Sequence, residues 1–198
     1  MFSQNHKSHQ KIHKDDDNLG FFHQWVEEFA KHVSQVTVIT NFQGTSTLPA
    51  NVSIYSLGKE KAAGRLSRLW KFWELFSYHY ARADAVFFHM APEFVLAASP
   101  FLFSLHRPSA LWYTHKSVTK ILKLAEKLVD YIFTASELSF RLPSKKVIFT
   151  GHAIKTEFFK PNSELQISSL ESIRIVTVGR VSPVKNIETI INACSLLK

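Results

Sequence analysis

The chain has 198 residues, 45% of them hydrophobic and 20% charged, which is enough for one packed α/β domain and part of another. Its single cysteine, Cys194, excludes an internal disulfide framework and favours a reducing, cytoplasmic setting; that residue is expected on the apolar side of the last helix. The net charge of +8 is uneven, with 10 basic and 9 acidic groups in residues 1–99 against 14 and 7 in residues 100–198.

Residues 1–7 are polar and lack the apolar core of a secretory signal. Asp15, Asp16, Asp17, Asn18 and Gly20 then precede an amphipathic segment over 20–32, whose apolar stripe is Phe22, Trp25, Val26 and Phe29. Acidic residues and asparagine suit a helix N-terminus. A metal-binding Asp-x-Asp is the competing reading, but these aspartates follow a lysine- and histidine-rich stretch instead of an apolar strand, so no metal is expected.

Strands are expected at 35–40 and 52–56, then a helix over 66–82. Leu66, Leu69, Trp70, Trp73, Phe76 and Tyr80 form one broad face there, expected to be core, with an interfacial aromatic face as the alternative. A strand at 85–89 leads to a helix at 93–105, an apolar segment that Ser99 and Pro100 interrupt and that is shorter than the roughly 20 residues needed to span a bilayer.

A strand at 110–114 is followed by a helix at 116–129, on which Lys116, Lys120, Lys123 and Lys127 share the face opposite Ile121, Leu122, Ala125 and Leu128. That face is either simply solvated or docks on anionic lipid. No nucleic-acid reading motif is present, so no nucleic-acid partner is expected.

Strands at 131–134 and 146–150 precede a polar linker over 162–172; a strand at 174–178 and a helix at 186–197 close the pattern. Alternation of this kind implies a parallel sheet with helices on both faces.

Ligands of open parallel sheets sit beyond the carboxyl ends of the strands. Three histidines occupy such positions: His89, His115 and His152. At the far end, Ile175, Val176 and Val178 read as a strand buried on both faces, and Gly179 lets the backbone turn. Arg180 can fork onto phosphate oxygens and Lys185 adds a point charge. The N–H groups near Asn186 and Ile187 are expected to face an anion in that loop.

The run Val178-Gly-Arg-Val-Ser-Pro-Val-Lys-Asn186 resembles the opening of the C-terminal domain in GT-B glycosyltransferases of family 4. The resemblance extends upstream through 16–23, 87–92, 111–115 and 151–155, covering most of residues 11–198. It implies a Rossmann-like acceptor domain over 1–160, a linker at 161–173 and the start of a nucleotide-sugar domain at 174–198.

It further implies retaining transfer of a hexose from a nucleotide-diphosphate sugar to a sugar or lipid-linked acceptor hydroxyl, with no metal and no other cofactor, at a cytoplasmic or peripheral inner-membrane location. Arg180, Lys185, Gly179 and Asn186 would hold the donor diphosphate. His115 resembles the family's cleft histidine, and Gly20, His89 and His152 would line the acceptor cleft.

Two departures stand out. The family shows His-Gly-Ile-Asp where this chain has His152, Ala153 and Lys155, and it begins with a hydrophobic strand where residues 1–9 hold only Met1 and Phe2 as apolar residues. A degraded or missing first strand is therefore expected. The family's pair of glutamates would lie past Lys198, so the chain is expected to be incomplete and inactive alone, the alternative being a non-catalytic module that binds an acceptor or a membrane.

Overall fold

Short apolar runs alternating with amphipathic segments fold into an α/β architecture in which every strand pairing among the described residues is parallel. The computed structural model describes residues 11–12, 20–152, 176–179, 181 and 183–196. The chain divides into two compact units, Met1–Ala153 and Ile154–Lys198.

In the first unit, β1 (Lys11–Ile12) pairs with β3 (Phe42–Gln43), and β2 (Val36–Thr40) pairs with β4 (Val52–Ser56). A four-stranded sheet follows in the order β5 (Val86–His89), β6 (Ser109–Trp112), β7 (Tyr131–Thr134), β8 (Val147–Phe149). Its strands lie in chain order because α3 (Pro92–Leu105) carries the chain from β5 to β6 and α4 (Lys120–Leu128) carries it from β6 to β7. Helix α1 (Gly20–His32) precedes β2, and α2 (Arg65–Tyr80) links β4 to β5. This is a Rossmann-like parallel arrangement flanked by helices. The strand β1 has only two residues, and residues 1–10, in which a degraded or missing first strand is expected, lie outside the described residues.

Strand register explains why both sheet faces carry helices. Phe88, Leu111 and Ile132 are register partners or their neighbours across β5, β6 and β7, so they project to one side. There they join Phe72, Phe76 and Tyr80 of α2, Val95, Ala98 and Leu102 of α3, and Leu122 and Ala125 of α4 in one core. An aromatic ladder runs through it: Phe72 stacks on Phe94 at 4.9 Å and on Phe76 at 5.1 Å, and Phe76 stacks on Tyr80 at 5.0 Å. Leu111, Leu122 and Ile132 are fully buried, each worth about 1.5–3 kcal/mol of transfer free energy.

The alternate residues, Phe87, His89 and Trp112, project to the other side and meet α1. Phe29 lies 5.4 Å from Phe87, Phe22 lies 4.3 Å from His89, and Trp25 lies 4.9 Å from Trp112.

Two expectations for the first unit need correction. On α2 the buried row is Phe72, Phe76 and Tyr80, an i, i+4 series, whereas Leu66 is 75% and Trp70 68% exposed. The broad stripe read from sequence was wider than the sheet-facing row, and its first turns point away from the core. Helix α4 starts at Lys120, not 116, because Thr119 caps it: the Leu122 N–H donates to the Thr119 hydroxyl at 3.1 Å. Lys116 therefore lies in a loop, while Lys120, Lys123 and Lys127 keep their common exposed face.

In the second unit, Val176 to Val178 form no strand, and Val176 and Val178 are 82% and 94% exposed. A β-branched run becomes a buried strand only with neighbours to pair with, and no other strand occurs among the described residues of that unit. Residues 174–175 and the linker 162–172 lie outside the described residues. Helix α5 (Ile187–Ser195) forms as expected, but Cys194 on it is exposed.

Element ends in the first unit are tied by side chains. The Asn51 amide donates to the Ala30 carbonyl at 2.8 Å and the Val33 carbonyl at 3.2 Å, satisfying the last turn of α1. The Lys146 ammonium does the same for α4, donating to the carbonyls of Glu126 and Val129 at 2.8 Å each. Asn51→Ala is expected to lower the free energy of unfolding by about 1 kcal/mol. A shift in the urea midpoint at unchanged slope measures this, and an unshifted midpoint would show that water replaces the cap without loss.

Candidate functional site

Because β5 to β8 are all parallel, their carboxyl ends share one edge of the sheet, and the three strand-end histidines belong to that edge. Helix α1 begins there too: its second residue after Gly20, Phe22, packs its ring against His89 at 4.3 Å. The strand end at His89 and the segments that carry His115 and His152 out of β6 and β8 thus leave the sheet on one edge.

His89 closes β5 and sits half-buried between Phe22 and Trp25, whose indole lies 5.4 Å away. The next residue, Met90, adopts φ of 53°, a left-handed conformation that a long side chain adopts at a cost. Two contacts hold it: the Met90 N–H donates to the Trp112 carbonyl at 2.8 Å, and the Thr114 N–H points at the Met90 sulfur at 3.1 Å. The ends of β5 and β6 are thereby locked together.

His115 is exposed, three residues beyond β6. The Ser117 N–H donates to its Nδ1 at 3.1 Å, and the Tyr113 hydroxyl donates to the Ser117 carbonyl at 3.1 Å. An Nδ1 that accepts cannot carry the proton of the neutral ring, so that proton resides on Nε2, which is then a donor. Burial, helped by the negative charge of Glu93, pushes the Tyr113 phenol above its ordinary value and keeps it a donor. His152 is exposed and follows Gly151, whose φ of 73° makes the turn out of β8.

Several further polar features were not anticipated. Thr134, the last residue of β7, is fully buried, and its hydroxyl has no hydrogen-bond partner among the described residues. An open cleft of about 470 Å³ lies by the ends of β3 and β4, lined by Gln43, Ser56, Glu60, Lys61 and Lys71 among others. None of the histidines borders it. Burial pulls the Glu60 carboxyl upward, but hydrogen bonds from its own amide, the Ser56 hydroxyl and the Gln43 backbone outweigh that and leave it below the usual range.

These polar residues carry no spacing that a sequence reading could single out. His23, at 3% exposure, was likewise overlooked: its Nε2 accepts the Thr47 N–H at 3.1 Å while Nδ1 faces Glu27 at 3.3 Å, a structural tie between α1 and the loop before β4.

In the second unit, Lys185 is exposed at the end of a 3-10 segment (Pro183–Lys185). Asn186 takes φ of 49° at the start of α5, and its N–H donates to the Pro183 carbonyl at 3.2 Å. That amide is therefore already engaged within the chain. Arg180 lies outside the described residues, as do Asp15, Asp16 and Asp17. Among the described residues no three His, Cys, Asp or Glu side chains come together as a metal site requires.

Comparison of the chain with protein-family models, with curated proteins and with solved structures returned no match.

Proposed function

We propose that the chain is a glycosyltransferase of the family 4 type, acting on a nucleotide-diphosphate sugar and an acceptor hydroxyl. The observation that carries this reading is the His115 arrangement. An imidazole held at Nδ1 by the Ser117 amide stands beyond the carboxyl end of a parallel strand, where ligands of such sheets sit. His89, at the end of the adjacent strand β5, extends that polar edge toward an acceptor, and His152 follows β8 at the far side of the sheet.

In the reaction, the bond between the anomeric carbon and the diphosphate breaks, and negative charge gathers on the departing phosphate oxygens. Arg180 and Lys185 stabilise that charge, with Gly179 giving the backbone room and the α5 start at Asn186 contributing amide donors. His115 holds the transferred sugar or orients the acceptor. No metal and no further cofactor enters this scheme.

A second reading, a non-catalytic module that binds an acceptor or a membrane, is favoured by one observation. The described residues of the second unit hold a single α-helix and no strand, with Val176, Val178 and Val181 all more than 80% exposed.

Calorimetric titration with uridine and guanosine diphosphates separates the two readings. The transferase reading expects binding that weakens at least about tenfold on Arg180→Ala or Lys185→Ala, as loss of a charge-assisted hydrogen bond worth about 1.5–3 kcal/mol requires. Absence of nucleotide binding, or unchanged affinity in both variants, leaves the module reading in its place.

A further inference from the structure

Helix α3 lies between α2 and α4 on one face of the sheet, so its outward side is surface. The Trp73 indole of α2 donates to the Ala97 carbonyl of α3 at 2.8 Å, and all three helices pack into one core. The inner row of α3 is Val95, Ala98 and Leu102, all buried. A water-facing helix of this kind normally carries charge on its outer side. Yet from Phe94 to Leu105 α3 holds no ionisable side chain, and Phe103 is 65% exposed beside exposed Pro100 and Ser104.

The neighbours continue the surface. Trp70 packs edge-on against Trp73 at 5.5 Å, which sets it at the outer seam of α2 and α3, and Leu66 stands one turn before it. On the other flank α4 exposes Leu124 between Lys120, Lys123 and Lys127. Exposed cations on the three helices are Arg65, Lys71, Lys120, Lys123 and Lys127, against the exposed acids Glu74 and Glu93.

We infer that the outer face of α2, α3 and α4 docks on an anionic lipid bilayer, with Trp70 and Phe103 entering the headgroup boundary and the lysines of α4 meeting lipid phosphates and carboxylates. An uncharged aromatic centre with cations at its flanks is the arrangement of an interfacial surface, because apolar groups gain from leaving water while ammonium groups remain among anionic headgroups. A folded protein partner gives no reason for the cations to stand at the flanks of a charge-free helix, and a nucleic acid gives no use for its exposed phenylalanine. The inference does not depend on whether the chain transfers sugar.

Co-sedimentation of the full chain with phosphatidylcholine vesicles containing about one-third phosphatidylserine, and with pure phosphatidylcholine vesicles, tests it. Binding is expected to the anionic vesicles alone and to be released in about 1 M salt, where screening is short-ranged. The triple variant Lys120→Glu, Lys123→Glu, Lys127→Glu is expected to bind roughly a hundredfold more weakly. The pair Trp70→Ser, Phe103→Ser is expected to bind at least about tenfold more weakly.

Every substituted side chain is exposed, and circular dichroism verifies that the variants fold. Ile148→Ser, on the opposite side of the sheet, should leave binding unchanged. Failure to bind anionic vesicles, equal binding by either helix variant, an equal loss in Ile148→Ser, or capture of duplex DNA in place of vesicles overturns the inference.

Discussion

Truncation of Leu111 to alanine is expected to lower the free energy of unfolding by about 3 kcal/mol, within the 2–5 kcal/mol that a buried leucine cavity costs. Leu111 is fully buried in β6, between Phe88 and Ile132 of its neighbours and beneath the aromatic ladder of α2 and α3. Neighbours held by ring stacking on one side and by ladder hydrogen bonds on the other have little freedom to collapse into the void. Because small domains hold only about 5–15 kcal/mol in total, such a loss is a large fraction of the stability.

The matched control is Ile148→Ala in β8, whose side chain is 41% exposed on the α1 side of the sheet. It should cost about 1 kcal/mol or less. Urea unfolding of both variants measures the difference, and equal losses would contradict the assignment of the two faces.

Asp130→Ala is expected to cost about 2 kcal/mol. The Asp130 carboxylate accepts both the backbone N–H and the hydroxyl of Ser109 at 2.8 Å, and the Asp130 N–H returns a bond to the Ser109 carbonyl at 3.0 Å. Ser109 is 3% exposed, so without the carboxylate two buried donors at the start of β6 have no acceptor. Asp130→Asn retains one acceptor oxygen and should recover about half of the loss. If Asn is as costly as Ala, the carboxylate acts through its charge and not as the acceptor for Ser109.

Much of the fold was legible because local and tertiary signals agree. The runs at 36–40, 52–56, 86–89 and 131–134 are apolar or β-branched and became strands, and the amphipathic stretches between them became helices. Disagreement arose where a tertiary partner decides the outcome. Val176 and Val178 have strand composition but no strand to pair with among the described residues of their unit. Lys116 has helical spacing with its successors, yet the Ser117 contacts with Tyr113 and His115 hold that segment as a loop until Thr119 caps the helix. Trp70 and Leu66 fit an apolar stripe by count, but the sheet contacts only the row through Phe72.

For the candidate site, what the sequence made legible is position along the strands. Strand-end position alone singled out His89, His115 and His152, since parallel strands must end on a common edge. What the histidines do depends on which ring nitrogen is engaged, and the amide that fixes this for His115 comes from a residue two positions on, in a turn with no sequence signature. The buried Thr134 hydroxyl and the cleft around Glu60 and Lys71 arise from residues distant in the chain. Only folding brings them together.

The central proposal is that Arg180 and Lys185 grip a pyrophosphate. Its most direct measurement is the ratio of dissociation constants for uridine or guanosine diphosphate and the corresponding monophosphate, in the native chain and in the Arg180→Ala, Lys185→Ala double variant. The account predicts diphosphate binding at least about tenfold tighter than monophosphate, as one additional charge-assisted contact requires, with the preference abolished in the variant. Equal affinity for the two nucleotides, or a preference that survives the double substitution, would contradict it.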